Sequence, residues 1–174
     1  SNKALDLIKA PLAWSISTGE NVLVGVADTE IDLTHEDITG QVIDVVGTPL
    51  AGTHGTGVAG TIAAITDNNI GVASLAHNSK IISASLGNNS ILALSQESGV
   101  RVINCSWYNS CISNTYWEEK FEEITEGNST TPGILIVAGA GNALPPSEGG
   151  CGPDGNGYGY PASYDSTLSV TSVG

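Results

Sequence analysis

The chain alternates short, wholly apolar runs with stretches of helical period. Residues 22–27, Val-Leu-Val-Gly-Val-Ala, form a continuous apolar run, the mark of a strand buried on both faces, as in a parallel sheet. Residues 80–85 and 133–138 read as further buried strands, 101–106 as another strand, and 41–46 and 168–173 as shorter ones. Between them lie helical patterns. Residues 4–14 place Leu5, Ile8 and Leu12 on one side, with Pro11 expected to bend or end the helix. Residues 52–64 begin as a glycine-rich turn and continue as a helix of Ala, Gly and Val. Residues 90–98 form a short helix. Residues 116–126 turn Trp117, Phe121 and Ile124 inward and their acidic side chains outward. Polar or Gly/Pro-rich loops occupy 17–21, 32–37, 66–72 and 143–159. Strands alternating with helices predict the α/β class, a mainly parallel sheet with helices on both faces, in a single domain over residues 1–174.

Composition narrows this picture. Hydrophobic residues make up 40% and charged residues 13%, which suits a globular chain and not a disordered acidic one. Lys and Arg number 5 against 18 Asp and Glu, a formal net charge of -13. Such a surface repels phosphate backbones, so nucleic acid is not an expected partner. It favours cations, calcium among them. No apolar run is long enough to span a bilayer, so no membrane is expected as a partner. The three cysteines, Cys105, Cys111 and Cys151, fit no common zinc spacing. One disulfide with one free thiol, or a fully reduced set, both fit their number.

Three residues carry candidate chemistry. Asp28 ends the first buried run, at the carboxyl edge where open α/β sheets place their sites. His54 sits where the glycine-rich turn becomes a helix. The small side chains of that helix force close packing on a neighbour, which fixes the imidazole. Asn142 follows Gly139-Ala140-Gly141 at the end of another buried strand. Singly, Asp28 serves equally as a turn cap and His54 as a surface residue. Together, an Asp to orient an imidazole, a His to take a proton and an Asn amide to donate to an oxyanion are the parts of serine-type acyl transfer.

Four stretches, in order, resemble the subtilisin-like serine proteases (subtilases). They are Val24-Gly25-Val26-Ala27-Asp28-Thr29-Glu30-Ile31-Asp32, His54-Gly55-Thr56-Gly57-Val58-Ala59-Gly60, the strand at 134–142, and Tyr160-Pro161-Ala162-Ser163-Tyr164 with Leu168-Ser169-Val170. The resemblance implies Asp28 as the triad aspartate, His54 as the general base and Asn142 as the oxyanion donor. It implies that Ser106, Trp107 and Tyr108 line an extended peptide substrate. It implies that Ala138, Gly139, Ala140, Gly141 and Gly159 wall a specificity pocket, whose small residues leave room for a large apolar side chain. It also implies a structural calcium site from Asp37, Thr66, Asn68, Ile70 and Val72, and a secreted or periplasmic location.

The sequence departs from the family pattern in four places. Trp107 and Tyr108 are bulkier than the Leu and Gly that follow the serine in the family, which predicts an altered pocket shape. Glu30 stands where the family has Gly, which predicts a changed turn or an added charge beside Asp28. Gly57 stands where the family often has His. The Gly-Thr-Ser-(Met/Ala)-Ala stretch that carries the nucleophile does not occur. The fold is therefore expected to be subtilisin-like but incomplete at the C-terminus. Val58, Ile62 and the sheet face beside them should be partly uncovered, and a missing C-terminal segment or another chain is the expected cover. The expected function is a serine endopeptidase whose present chain is inactive alone. The alternative is a degenerate relative that binds extended peptides without cutting them. A transferase or a protease with a relocated nucleophile is a third possibility.

Overall fold

The computed structural model describes residues 3–142, 147, 150–151 and 157–172. Six strands form one sheet: β1 (Leu23–Ala27), β2 (Val42–Val46), β3 (Lys80–Ala84), β4 (Val100–Cys105), β5 (Leu135–Gly139) and β6 (Thr167–Val170). Their order is β2-β3-β1-β4-β5-β6, and every pair is parallel. The four longer segments and the two shorter ones thus all become strands, as their patterns predict. The far end of the last predicted strand, Val173, lies outside the described residues, as does most of the loop at 143–159. β1 is central, and the strand order reverses around it: β2 and β3 lie on one side, β4 to β6 on the other. The crevice at the carboxyl end of β1 is thus the topological switch point of the sheet.

Among the described residues five helices accompany the sheet: α1 (Lys3–Leu7), α2 (Ala10–Ala13), α3 (His54–Ala63), α4 (Asn88–Ser95) and α5 (Thr115–Glu126). α4 and α5 cover one face. There Ile91, Leu94 and Phe121 pack on Ile82, Ile103 and Ile136, with Tyr164 against the Phe121 ring at 5.5 Å. Gly25 in β1 permits this packing, since a Cβ there would stand 3.1 Å from Leu94 Cδ1. The predicted inward residues of α5 hold: Phe121 is fully buried, and Trp117 and Ile124 pack against the same core. Asn114 caps α5, its side chain accepting from the amides of Tyr116 and Trp117.

α3 covers the other face. Ala59 and Ala63 meet Val24, Val26 and Ile81, with Val58, Ile62 and Val102 at the margin. Leu135 is in register with Val102, and Leu168 with Val137. These strand residues continue the same face, yet Leu135, Leu168 and Val170 are half exposed.

The N-terminal helix differs from its prediction. It is two short helices, α1 and α2, separated at Ile8 and Lys9, and Lys9 takes a left-handed φ of 57°. Pro11 has no amide to give to the carbonyl of Leu7, so the break falls before the proline and not at it. Ile8 and Leu12 remain largely exposed.

Candidate active site

Backbone packing sets the site before any side chain does. β1 ends in a buried Asp28, whose amide donates to Ala84 O. The next residue, Thr29, turns the chain toward the start of α3. Its hydroxyl accepts from the Gly55 amide at 2.8 Å. A Cβ on Gly55 would overlap the Thr29 carbonyl oxygen. Gly55 is therefore required by the close approach of α3 to the Asp28 turn, and that approach delivers His54.

His54 Nδ1 lies 2.8 Å from Asp28 Oδ1. Ionised Asp28 can only accept, so Nδ1 carries the proton and Nε2 presents its lone pair. The Asp28 side chain is fully buried, whereas that of His54 is 60% exposed. Among the described residues Nε2 has no hydrogen-bond partner. Asp28 Oδ1 also accepts from the Thr29 amide at 2.7 Å. Asp28 Oδ2 is buried with no hydrogen-bond partner. Among the described residues, the only ionisable side chain bonded to Asp28 is that of His54.

Glu30 leaves the turn intact. Its amide donates to Leu50 O at 2.7 Å, and it is not among the residues with positive φ, so no glycine is needed there. The departure from the family pattern is the added charge, which is exposed. Gly57 is open, with nothing within 4 Å of a Cβ placed on it.

Ser106, Trp107 and Tyr108 run out from the carboxyl end of β4, past the last sheet pairing at Cys105. Trp107 folds back, its indole N–H donating to Ala27 O at 2.6 Å. Ser106 Oγ accepts from Asn104 Nδ2, and Ser163 Oγ donates to Gly159 O. Neither serine is bonded to His54. Burial drives the Cys105 thiol far above its ordinary range, and the charge of Asp28 adds to this. Cys105 is thus no thiolate nucleophile. Cys111 and Cys151 form a disulfide, a pairing the sequence leaves open, and Cys105 is the free thiol.

The expected specificity pocket is altered. The Tyr108 ring packs against Gly141 and Gly159, 3.3 Å from where a Cβ on Gly159 would sit. Only about 20 Å³ of cavity is left between Tyr108, Ala140, Gly141, Asn142 and Gly159. Among the described residues no room for a large side chain is left there: the Tyr108 ring, from the segment after β4, takes the space that the small residues leave. Ala138 does not line this cavity at all, since it is buried in the α4/α5 core. Gly139 ends β5, the Ala140 amide pairs with Val170 O, and Asn142 is exposed beside Gly141.

The residues expected to hold calcium do come together. Asp37 is buried, and its carboxylate accepts from Asn68 Nδ2 at 3.0 Å and from the Val72 amide at 2.8 Å. Ile70 donates its amide to Asn68 Oδ1, and Thr66 Oγ1 turns inward to Ala64 O and the Ser74 amide. No group of three acidic, His or Cys side chains stands together among the described residues. A cation here would have to displace the Asn68 amide and the Val72 N–H from the one carboxylate, because Asn68 Oδ1 already accepts from the Ile70 amide.

No described helix is long and apolar enough to cross a membrane.

The family model of the subtilase family matches residues 19–174. Thermitase of Thermoactinomyces vulgaris is 29% identical over 183 residues, covering 95% of this chain and 60% of the relative. Subtilisin Savinase of Lederbergia lenta is 34% identical over 180 residues, covering 94% of this chain and 60% of the relative. The chain thus spans well under two thirds of these curated relatives. The crystal structure of MycP1 with its N-terminal propeptide removed superposes with a TM-score of 0.71 at 23% identity, over 98% of this chain and 62% of that one. That likeness concerns the fold. With the family match covering most of its length, the chain belongs to the subtilase family of serine peptidases.

Proposed function

We propose that this chain is the Asp- and His-bearing part of a subtilisin-like serine endopeptidase. The observation that carries the reading is the 2.8 Å contact between His54 Nδ1 and the buried Asp28 carboxylate, with Nε2 left open. In this role Asp28 holds the tautomer and orientation of His54 and stabilises its cation. His54 Nε2 takes the proton of a serine hydroxyl and returns it to the leaving amine. The Asn142 amide donates to the oxyanion. Ser106 to Tyr108 align the peptide by main-chain pairing. The serine is supplied by residues outside this sequence, since no Gly-Thr-Ser stretch occurs in it.

The test is peptide hydrolysis by this chain and by the protein extended with its downstream coding sequence. The chain alone should show no turnover. The extended protein should hydrolyse peptides and lose about 10⁴-fold or more on His54→Ala, the loss that follows removal of a triad member. Unchanged activity in that variant removes His54 from the mechanism. Peptide binding without hydrolysis by the extended protein turns the reading to a non-catalytic peptide-binding relative.

Two further proposals accompany this one. Calcium binds between Asp37 and the loop of Thr66, Asn68, Ile70 and Val72. A chelator should then lower the melting temperature, and no shift would count against the site. Export from the cytoplasm is supported by the Cys111–Cys151 disulfide, since such bonds persist in oxidising compartments.

A further inference from the structure

A second cavity opens beside the Asp28 turn. It holds about 500 Å³ between the segment after β1, the loop before α3, and β3. Glu30 and Asp32 bring two carboxylates to its lining, and Leu33, Val45 and Pro49 give it apolar walls. Ser83 lines it from β3. Ser83 is 1% exposed, and its hydroxyl oxygen has no hydrogen-bond partner. A buried hydroxyl without a partner is rare and calls for one. The Thr34 hydroxyl and amide, at 2.6 Å and 2.9 Å, fix Asp32 Oδ1 and hold this carboxyl below the ordinary range. The Asp32 amide in turn donates to Thr56 Oγ1, which ties the segment to α3. The cavity is therefore rimmed by negative charge, apolar along its sides, and carries an unused hydroxyl on its sheet side.

That combination suits one kind of occupant. An aliphatic stem ending in a cation buries its methylenes against the apolar walls and directs its head to the carboxylates. Its N–H groups can also donate to the unused Ser83 oxygen. We propose that this cavity takes the side chain of a lysine or arginine in a peptide substrate and thereby selects basic sequences. The position agrees, because Glu30 is two residues from Asp28 and Gly52, also in the lining, is two from His54. The net charge of -13 draws basic peptides to the same surface. The word substrate rests on the peptidase reading, but occupancy of the cavity does not.

The test is therefore binding, measured on the 174-residue chain by amide NMR shifts. The probes are N-acetyl-lysine amide, N-acetyl-arginine amide and the uncharged N-acetyl-norleucine amide. The two basic probes should bind roughly 1.5-fold to fivefold more tightly than norleucine, the range for a cation beside an exposed carboxylate. Shifts should centre on residues 30–34, 45–52 and 83. Glu30→Gln should erase most of the preference while leaving norleucine binding as it was. Ser83→Ala should weaken only the basic probes, and Val45→Trp should block all three. Glu30 is exposed, so its variant tests charge without a folding penalty; circular dichroism checks the other two. Equal binding of norleucine, or shifts that map elsewhere, overturns the proposal. Hydrolysis by the extended protein without any preference for basic residues also overturns it. Basic-probe binding at these residues in a protein that never hydrolyses peptides upholds the cavity and removes the peptidase reading.

Discussion

The two faces of the sheet are built to different standards. On the α4/α5 face, Phe121, Ile91, Leu94, Ile103 and Ile136 are fully buried, and aromatic rings interlock from Trp117 through Phe121 to Tyr164. On the α3 face the helix contributes Ala59 and Ala63, and Leu135, Leu168 and Val170 stand half in water. The first face is a closed core that carries stability. The second gives up buried area for closeness: only a helix with glycine at position 55 can approach the Asp28 turn near enough to bring His54 into contact. The closed core and the Asp28–His54 contact thus lie on opposite sides of one sheet.

Substitutions can break this division or sharpen it. Phe121→Ala should show the largest effect, destabilising by about 3–5 kcal/mol through lost burial and a residual cavity. Urea denaturation measures it; a loss comparable to that of a surface variant would deny the closed-core role. Gly55→Ala should rank second, at about 1–3 kcal/mol, because the new methyl meets the Thr29 carbonyl and α3 must shift. Its sharper readout is the His54 imidazole in NMR, which should lose the signature of the bond to Asp28. An unchanged imidazole spectrum would show that the helix position is not what holds His54. Leu168→Gln should stay within about 0.5 kcal/mol, as a surface change does, while reducing binding of a hydrophobic dye. A large destabilisation would mean that the α3 face is already a core.

Glu20 gives the smallest effect and belongs to neither face. It accepts from the Thr18 hydroxyl and amide and from Asn78, clasping the approaches to β1 and β3. The Thr18 hydroxyl is the main reason its carboxyl is pulled down to about 2. A depressed carboxyl stabilises the fold above its unfolded value near 4.5 and loses that contribution as pH falls toward 2. Glu20→Gln should therefore flatten the fall in melting temperature between pH 4.5 and 2. The group is fully exposed, so the change should be slight; an identical pH profile in the variant would remove Glu20 from acid sensitivity.

What the sequence revealed follows the same physical line. The parallel strands were legible because burial on both faces writes an unbroken apolar run, and Val22 to Ala27 cannot be read otherwise. Asp28 and His54 were legible because their positions depend on strand ends and helix starts, which are local. The pocket region was legible only in part, through the bulk of Trp107 and Tyr108. Small residues at Gly139, Ala140, Gly141 and Gly159 announce space, but that Tyr108 fills it depends on the packing of two distant segments. The Cys111–Cys151 pairing was hidden for the same reason. The break between α1 and α2 was missed by two residues, since a proline acts on the carbonyl behind it. Ser83 looked like one more strand residue; only the fold shows its hydroxyl buried and unused.

The bond from the Trp107 indole to Ala27 O has an optical consequence. Indole emission depends on the polarity and hydrogen bonding around its N–H, and this N–H is anchored one residue before Asp28. The other two tryptophans lie elsewhere, Trp14 near His77 and Trp117 beside Phe121. With both replaced by phenylalanine, the chain would carry a single tryptophan, between the sheet and the segment that follows β4. Its colour would report a ligand's arrival directly, with no label added and no reaction required.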